Sequence, residues 1–184
     1  MESFLTFWCL EKLKGNYKLM TNLYIPKEDG SKTEIDLIMI AESGIYVFES
    51  KNYSGWIFGD EKYKNWTQTL PNKQKNQFYN PIWQNKGHIN ALKYVVDIDK
   101  SNLYKSYIIF SERCTLKKIN VSSSNVKVIK RNTLIKSITN DMLSSSNILS
   151  IEEVNQIYCE LQKFSCVDNS VKREHIESVK MKKI

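Results

Sequence analysis

The sequence predicts an α/β fold: a mixed central β-sheet carrying an acidic hairpin, with helices on its faces. Three observations point there. Segments with the two-residue period of strands alternate with segments of helical period along 184 residues, a length that allows one domain with a real core. Two apolar strands in the 33–51 region are separated only by Ala41, Glu42 and Ser43, so they form a hairpin. All six glycines and all three prolines lie before residue 90, which makes the first half turn-rich and the second half plainer helix-and-strand scaffold.

Each element has a local cause. Residues 3–14 read as a helix, because Phe4, Leu5, Trp8, Cys9 and Leu13 recur at helical spacing and Gly15 ends it. Residues 17–25 form a strand closed by the turn Pro26-Lys27-Glu28-Asp29-Gly30. The hairpin strands are residues 33–40 and 44–51, and residues 56–58 and 65–70 add short strands. Asn80 then caps a helix that has Pro81 in its first position and runs to about residue 96. Residues 103–110 and 126–129 are strands, and residues 133–142 a short helix. The capping box Ser150-Ile151-Glu152-Glu153 starts a last helix with Ile151, Val154, Tyr158 and Leu161 inward. Residues 1–166 thus make one domain, and residues 167–184 a polar, charged tail.

The formal net charge is +7, a prior for a polyanionic partner. Its distribution says more. No Asp or Glu occurs between Lys62 and Val96, where Lys62, Lys64, Lys73, Lys75, Lys86 and Lys93 fall. A second acid-free stretch, Arg113 to Asn140, carries Lys117, Lys118, Lys127, Lys130, Arg131 and Lys136. Cys9, Cys114, Cys159 and Cys166 are not spaced as zinc ligands and read as free thiols of a reducing compartment. No stretch approaches the ~20 apolar residues of a membrane span, and the N-terminus lacks the charge pattern of a signal peptide. The expectation is a cytoplasmic protein without a membrane partner.

The hairpin carries the chemistry. Its strands read Glu34-Ile35-Asp36-Leu37-Ile38-Met39 and Tyr46-Val47-Phe48-Glu49-Ser50-Lys51. Alternation puts Glu49 and Lys51 on one face, and Glu34 and Asp36 on one face of their own strand. A turn centred between Glu42 and Ser43 places Asp36 opposite Glu49 and Glu34 opposite Lys51, with opposed Cβ atoms about 4.5–5.5 Å apart. If Gly44 instead fills the left-handed position of a three-residue loop with a bulge, Asp36 faces Ser50. Two carboxylates so close repel unless a proton or cation lies between them, and oxygen-only ligands suit Mg²⁺ or Mn²⁺. A lysine beside them can orient water or steady a phosphoryl transition state. The competing reading is a surface hairpin with solvated charges; acids interrupting such apolar strands favour a site.

These residues also resemble a known family. Thr33-Glu34-Ile35-Asp36-Leu37-Ile38 and Gly44-Ile45-Tyr46-Val47-Phe48-Glu49-Ser50-Lys51-Asn52-Tyr53-Ser54-Gly55 are similar to the nuclease-related domain (NERD) pattern. So are Trp56-Ile57-Phe58-Gly59, Trp66-Thr67-Gln68 and the block from Phe78-Tyr79-Asn80-Pro81 through Gln84 to His88. The resemblance covers roughly residues 2–135 and implies a PD-(D/E)xK phosphodiesterase relative with a restriction-endonuclease-like core. It implies Asp36 as the first metal ligand, Glu49 as the acid of the motif, Lys51 as its lysine and the Ser50 main-chain carbonyl as a further ligand. It adds Gln84, and Glu2 as the early acid of the first helix.

On the helix opened by Pro81, Gln84, His88 and Ala91 fall on one side and Ile82, Ile89, Leu92 and Val96 largely on the other. The polar strip reads as solvent-facing from periodicity alone; the resemblance turns Gln84 toward the site, and His88, one turn further along the helix, is an additional candidate, as are Glu34 of the hairpin and Glu2. Around the helix, Lys62, Lys64, Lys73, Lys75 and Lys86 interleave with Tyr63, Trp66, Phe78, Tyr79, Trp83 and Tyr94. Lysines neutralise phosphates and aromatic faces stack on unpaired bases, although four of these six aromatics are expected in the core. No Gly-x-Ser-x-Gly elbow or Gly-Lys-Ser/Thr phosphate loop occurs. The expected function is Mg²⁺- or Mn²⁺-dependent hydrolysis of DNA. The alternatives are a non-cleaving nucleic-acid-binding module of the same fold, an RNA-directed nuclease, and a protein-interaction domain for acidic partners. A homodimer stays open, since many enzymes that cut both strands are dimeric.

Overall fold

Ten apolar-rich residues on either side of the Pro26 turn pair as the first two strands of a sheet, and the Glu42-Ser43 turn adds the third. The computed structural model describes residues 2–98, 100 and 102–165; the tail expected from residue 167 lies outside them. The order is α1 (Glu2–Leu10), β1 (Tyr17–Pro26), β2 (Lys32–Ala41), β3 (Gly44–Lys51), β4 (Gly55–Asp60), β5 (Asn65–Thr69) and β6 (Lys75–Tyr79). There follow α2 (Pro81–Val96), β7 (Tyr104–Phe110), β8 (Cys114–Asn120), β9 (Val126–Lys130), a 3₁₀ turn, α3 (Leu134–Ser144) and α4 (Ile151–Gln162).

The strands form two mixed sheets rather than one. The larger has the order β1-β2-β3-β7-β9, antiparallel from β1 to β3 and parallel from β3 to β9. The smaller has the order β6-β5-β4-β8, with β4 and β8 parallel. Sequence periodicity misses β6 and β8. β6 is half exposed along its length and β8 reads Cys-Thr-Leu-Lys-Lys-Ile-Asn, so neither presents a clean apolar alternation.

Two apolar layers sandwich the large sheet. Ile38, Ile40, Ile45 and Val47 pack under Ile89, Leu92 and Val96 of α2 and Val154, Ile157 and Leu161 of α4. On the other face, Leu37, Met39, Tyr46, Phe48 and Tyr107 meet Leu10 and the α3 residues Leu134 and Ile138. A third cluster, Ile57, Trp66 and Ile82 with Ile108 and Phe110, joins the small sheet to β7 and the start of α2.

Three expectations about packing are reversed. In α1, Phe4, Leu5 and Trp8 are exposed, while Thr6 and Leu10 are buried, so the helix turns its small hydroxyl face inward. In α4, Ile151 is exposed and Ile157 is fully buried, because the capping box holds the first turn outside the core. Among the six aromatics between residues 63 and 94, Trp66 is buried and Phe78 half-buried, while Tyr63, Tyr79, Trp83 and Tyr94 are exposed. Among the described residues, no helix is long and apolar enough to cross a membrane.

Candidate active site

Register sets the site. Leu37 pairs with Phe48, Met39 with Tyr46 and Ala41 with Gly44 across β2 and β3, as a two-residue turn requires. Gly44 belongs to the ladder, not to a bulge. Its φ is +129°, and a Cβ there would lie 2.5 Å from the Leu103 carbonyl oxygen, so only glycine lets β3 approach the entry to β7. Asp36 and Glu49 stand one step beyond the last paired rung, Leu37–Phe48.

The ladder stops there because the pleat breaks. On the other side of β2, Thr21 pairs with Leu37 and Leu23 with Ile35, but Asn22 and Asp36 do not pair. Asn22 has a left-handed φ of 53°, which Asn tolerates better than most residues. Face alternation slips at the same point: Ile35 packs in the same cluster as Ile38 and Ile40, and Leu23 in the same cluster as Met20. Asp36 therefore leaves the ladder at a kink that β1 and β2 share.

Beyond the rung, Glu49 and Lys51 project on the α2 face of β3. Glu49 is 8% exposed. Its Oε1 lies 2.8 Å from Lys51 Nζ, and its Oε2 lies 3.3 Å from His88 Nε2. Lys51 Nζ also donates to Gln84 Oε1 at 2.8 Å. His88 Nδ1 lies 3.0 Å from Thr33 Oγ1, an arrangement satisfied when Nε2–H donates to Glu49 and Nδ1 accepts from the Thr33 hydroxyl. β3 and α2 thus tie Glu49, Lys51, Gln84 and His88 into one cluster. Periodicity alone would have left Gln84 and His88 facing solvent; instead Gln84 is half-buried and His88 is buried.

The carboxyls titrate in opposite directions. Burial pushes the Glu49 carboxyl up, but the His88 hydrogen bond and the Lys51 ammonium outweigh it and hold it below the usual range. Asp36 is raised, first by burial and then by the charges of Glu49 and Glu34, against weaker help from His88 and Lys51. Glu34 does not meet Lys51. It accepts a 2.9 Å hydrogen bond from Tyr24, whose hydroxyl is pushed up to about 12 by burial, that bond, and the charges of Glu34 and Asp36. Glu34, Asp36 and Glu49 thus share one field of negative charge. Ser50 points to the opposite face, where its hydroxyl meets Thr6 of α1 at 3.0 Å. Only its main-chain oxygen is on offer to a cation. α1 begins at Glu2, whose side chain lies outside the described atoms.

Asn80 and Asn85 hold the helix over this cluster. Asn80 is fully buried; its Oδ1 accepts from the Ile82 amide, and its Nδ2 lies 2.8–3.3 Å from the carbonyls of Asp60, Glu61 and Tyr63. Asn85 donates to the Val47 carbonyl at 2.9 Å and to Ser106 Oγ at 2.8 Å. Sequence reasoning passed over Asn85, yet a signal was there. It occupies an apolar-stripe position, three residues after Ile82 and four before Ile89, where a polar residue needs a buried partner. Lys62, Lys64, Lys73, Lys75 and Lys86 are all exposed. The first four stand on the small sheet and its turns, and Lys86 on the outer side of α2.

Residues 2–111 match the model of the nuclease-related domain family, "Nuclease-related domain". An uncharacterized protein of Bacillus anthracis is 35% identical over 163 residues, 88% of this chain and 74% of that protein. A solved structure of a protein of unknown function, AF1548, aligns over 98% of this chain and 95% of its own at 9% identity, with a TM-score of 0.36.

Proposed function

Because the chain belongs to the nuclease-related domain family, we propose that it hydrolyses DNA phosphodiester bonds in a divalent-cation-dependent reaction at Asp36, Glu49 and Lys51. The observation that carries the reading is the Lys51 ammonium held between Glu49 and Gln84, in the field of an acid, Asp36, whose carboxyl is pushed up first by burial and then by the charges of Glu49 and Glu34.

The donor chemistry fits a hard cation. Asp36 and Glu49 supply carboxylate oxygens and Ser50 a main-chain oxygen, and the raised Asp36 carboxyl, buried and beside the charges of Glu49 and Glu34, is one that a bound cation would favour in its ionised form. Among the described residues no group of three His, Cys, Asp or Glu side chains is disposed to hold a metal alone. An ion here would keep several waters, which suits Mg²⁺ or Mn²⁺. What a bound cation supplies is charge against the scissile phosphate and a lowered pKa for water.

The chain's own groups do the rest. An ammonium has three N–H donors. Lys51 spends two on Glu49 and Gln84 and keeps one for a phosphate oxygen or the attacking water. Gln84 and Glu49 fix the direction of that donor, which is the preorganisation that electrostatic catalysis needs. His88 is a positioning residue: it holds the second oxygen of Glu49 and so sets how the carboxylate presents itself. The exposed lysines of the small sheet and α2 supply the phosphate-binding surface.

The test is cleavage of linear, nicked, circular and single-stranded DNA with Mg²⁺, Mn²⁺ or EDTA, beside Asp36→Ala. Cleavage that needs the metal and Asp36 supports the reading. No cleavage of any substrate with either metal, but retained binding, overturns it in favour of the non-cleaving module. Cleavage of RNA alone moves the substrate class.

A further inference from the structure

A polar cavity opens where β7 and β9 begin, away from Glu49 and Lys51. Its volume is about 680 Å³, within the range of roughly 300–1,000 Å³ usual for small-molecule sites. Lys105 and Lys127 enter it from the two strands, Asn102 and Asn125 from the loops before them, and Asp141 and Ser145 from α3 and its end. Lys105 is the strand neighbour of Tyr46, and Tyr46 and Tyr107 belong to the apolar layer under α1 and α3. Glu49 and Lys51 lie on the α2 face. The sheet separates the two places.

The charges in this cavity do not balance. Lys127 and Tyr107 engage the Asp141 carboxylate, one on each oxygen, and Lys127 is its ion-pair partner. Lys100, at the rim, pairs with Glu153 at 2.6 Å. Lys105 is different. Its ammonium donates to Ser145 Oγ at 2.6 Å and Tyr46 Oη at 3.3 Å, and it sits 5.0 Å from the centroid of the Tyr46 ring. Among the described residues no carboxylate forms an ion pair with it. Hydroxyls and a ring face solvate a cation but do not neutralise it, so among the described residues this half-buried charge has no counter-ion in direct contact. Burial holds the ammonium below its ordinary value; Asp141 opposes that and Lys127 adds to it.

We propose that this cavity binds the phosphoryl group of a small, nucleotide-sized molecule, with Lys105 as the counter-ion. A lysine point charge ringed by hydroxyl and amide groups matches the several acceptor oxygens of a phosphoryl group; a planar carboxylate is better met by the fork of an arginine, and none lines the cavity. Ser145 accepts from Lys105, which leaves its own O–H free to donate inward.

Titration calorimetry at low salt with pyrophosphate, ADP and adenosine tests the assignment. Pyrophosphate and ADP bind and adenosine does not. Lys105→Met, which keeps the aliphatic stem against Tyr46, weakens both at least tenfold. Asp141→Asn, which still accepts from Tyr107 but removes the opposing charge, tightens both several-fold. Lys118→Ala, an exposed lysine of β8, changes neither. Absence of binding by the wild type, equal loss in Lys118→Ala, or undiminished binding by Lys105→Met overturns the proposal. So does a 5′-phosphorylated oligonucleotide that binds where pyrophosphate and ADP do not. Should Lys105→Met fail to fold, an Asp141→Asn protein that does not bind more tightly overturns it as well.

Discussion

Of the three N–H donors on the Lys51 ammonium, two are held by Glu49 and Gln84. In the proposed reaction, Lys51→Ala removes a placed donor from the transition state but only one charge from the binding surface. Single-turnover cleavage in saturating Mg²⁺ should fall by about 10²–10⁴, while DNA affinity in Ca²⁺ changes far less; undiminished cleavage takes the lysine out of the mechanism. The two acids make a second prediction at this scale. A lowered carboxyl contributes stability above the ordinary range and loses it as pH falls through the lowered value, as for Glu49. A raised one is a penalty above its raised value, relieved as pH falls through that value toward the ordinary range, as for Asp36. On acidification the metal-free protein should gain from Asp36 first and lose from Glu49 later. Carbon-detected NMR should show Asp36 protonating at the higher pH. In thermal melts at neutral pH, Asp36→Asn should raise the midpoint. Glu49→Gln should cost about 3 kcal/mol, because it leaves the Lys51 charge in a largely buried place without its partner.

At the scale of elements, the site depends on how α2 is seated. Asn80 caps the helix and bonds to the carbonyls of the β4–β5 turn, while Asn85 ties the same helix to β3 and β7. Asn80→Ala should therefore destabilise by about 2–4 kcal/mol, one cap plus buried carbonyls left unpaired. Urea denaturation measures this, and a loss below 1 kcal/mol would show that the turn is held by other contacts. Residual activity of this variant should drop more than its folded fraction, since Gln84 and His88 ride on the same helix. The kink at Asn22 and Asp36 belongs to this scale too. Two strands lose their alternation together, and the acid freed from the ladder is one whose carboxyl is raised by burial and by the charges of Glu49 and Glu34.

For the whole molecule, the proposed DNA contact is electrostatic. Lys62, Lys64, Lys73, Lys75 and Lys86 are exposed, and none is paired with an acid among the described residues. If they meet phosphates, the log of affinity should fall linearly with the log of salt concentration, and each lysine replaced by alanine should reduce the slope by about 0.9 on duplex DNA. Fluorescence anisotropy from low to physiological salt measures it. A slope unchanged in the five-lysine variant would remove this face from the interface.

What the sequence determined by itself was local. The turn Glu42-Ser43, the alternation of β2 and β3, the Asn80-Pro81 cap and the Ser150 capping box are each written in neighbouring residues, so the hairpin register and most element positions follow from steric and hydrogen-bonding rules. The family pattern singled out Asp36, Glu49, Lys51 and Gln84 in the same way, as blocks in order. Tertiary structure decided what depends on partners distant in the chain. It split the strands into two sheets, because β4 and β8 pair across the intervening β5, β6, α2 and β7. It turned Phe4, Leu5 and Trp8 outward, since Thr6 is the α1 residue that meets Ser50. It also drew His88 from an apparently solvent-facing strip onto Glu49, because a helix face is wet or dry according to what packs against it, and here β3 brings a carboxylate that a ring nitrogen can bond.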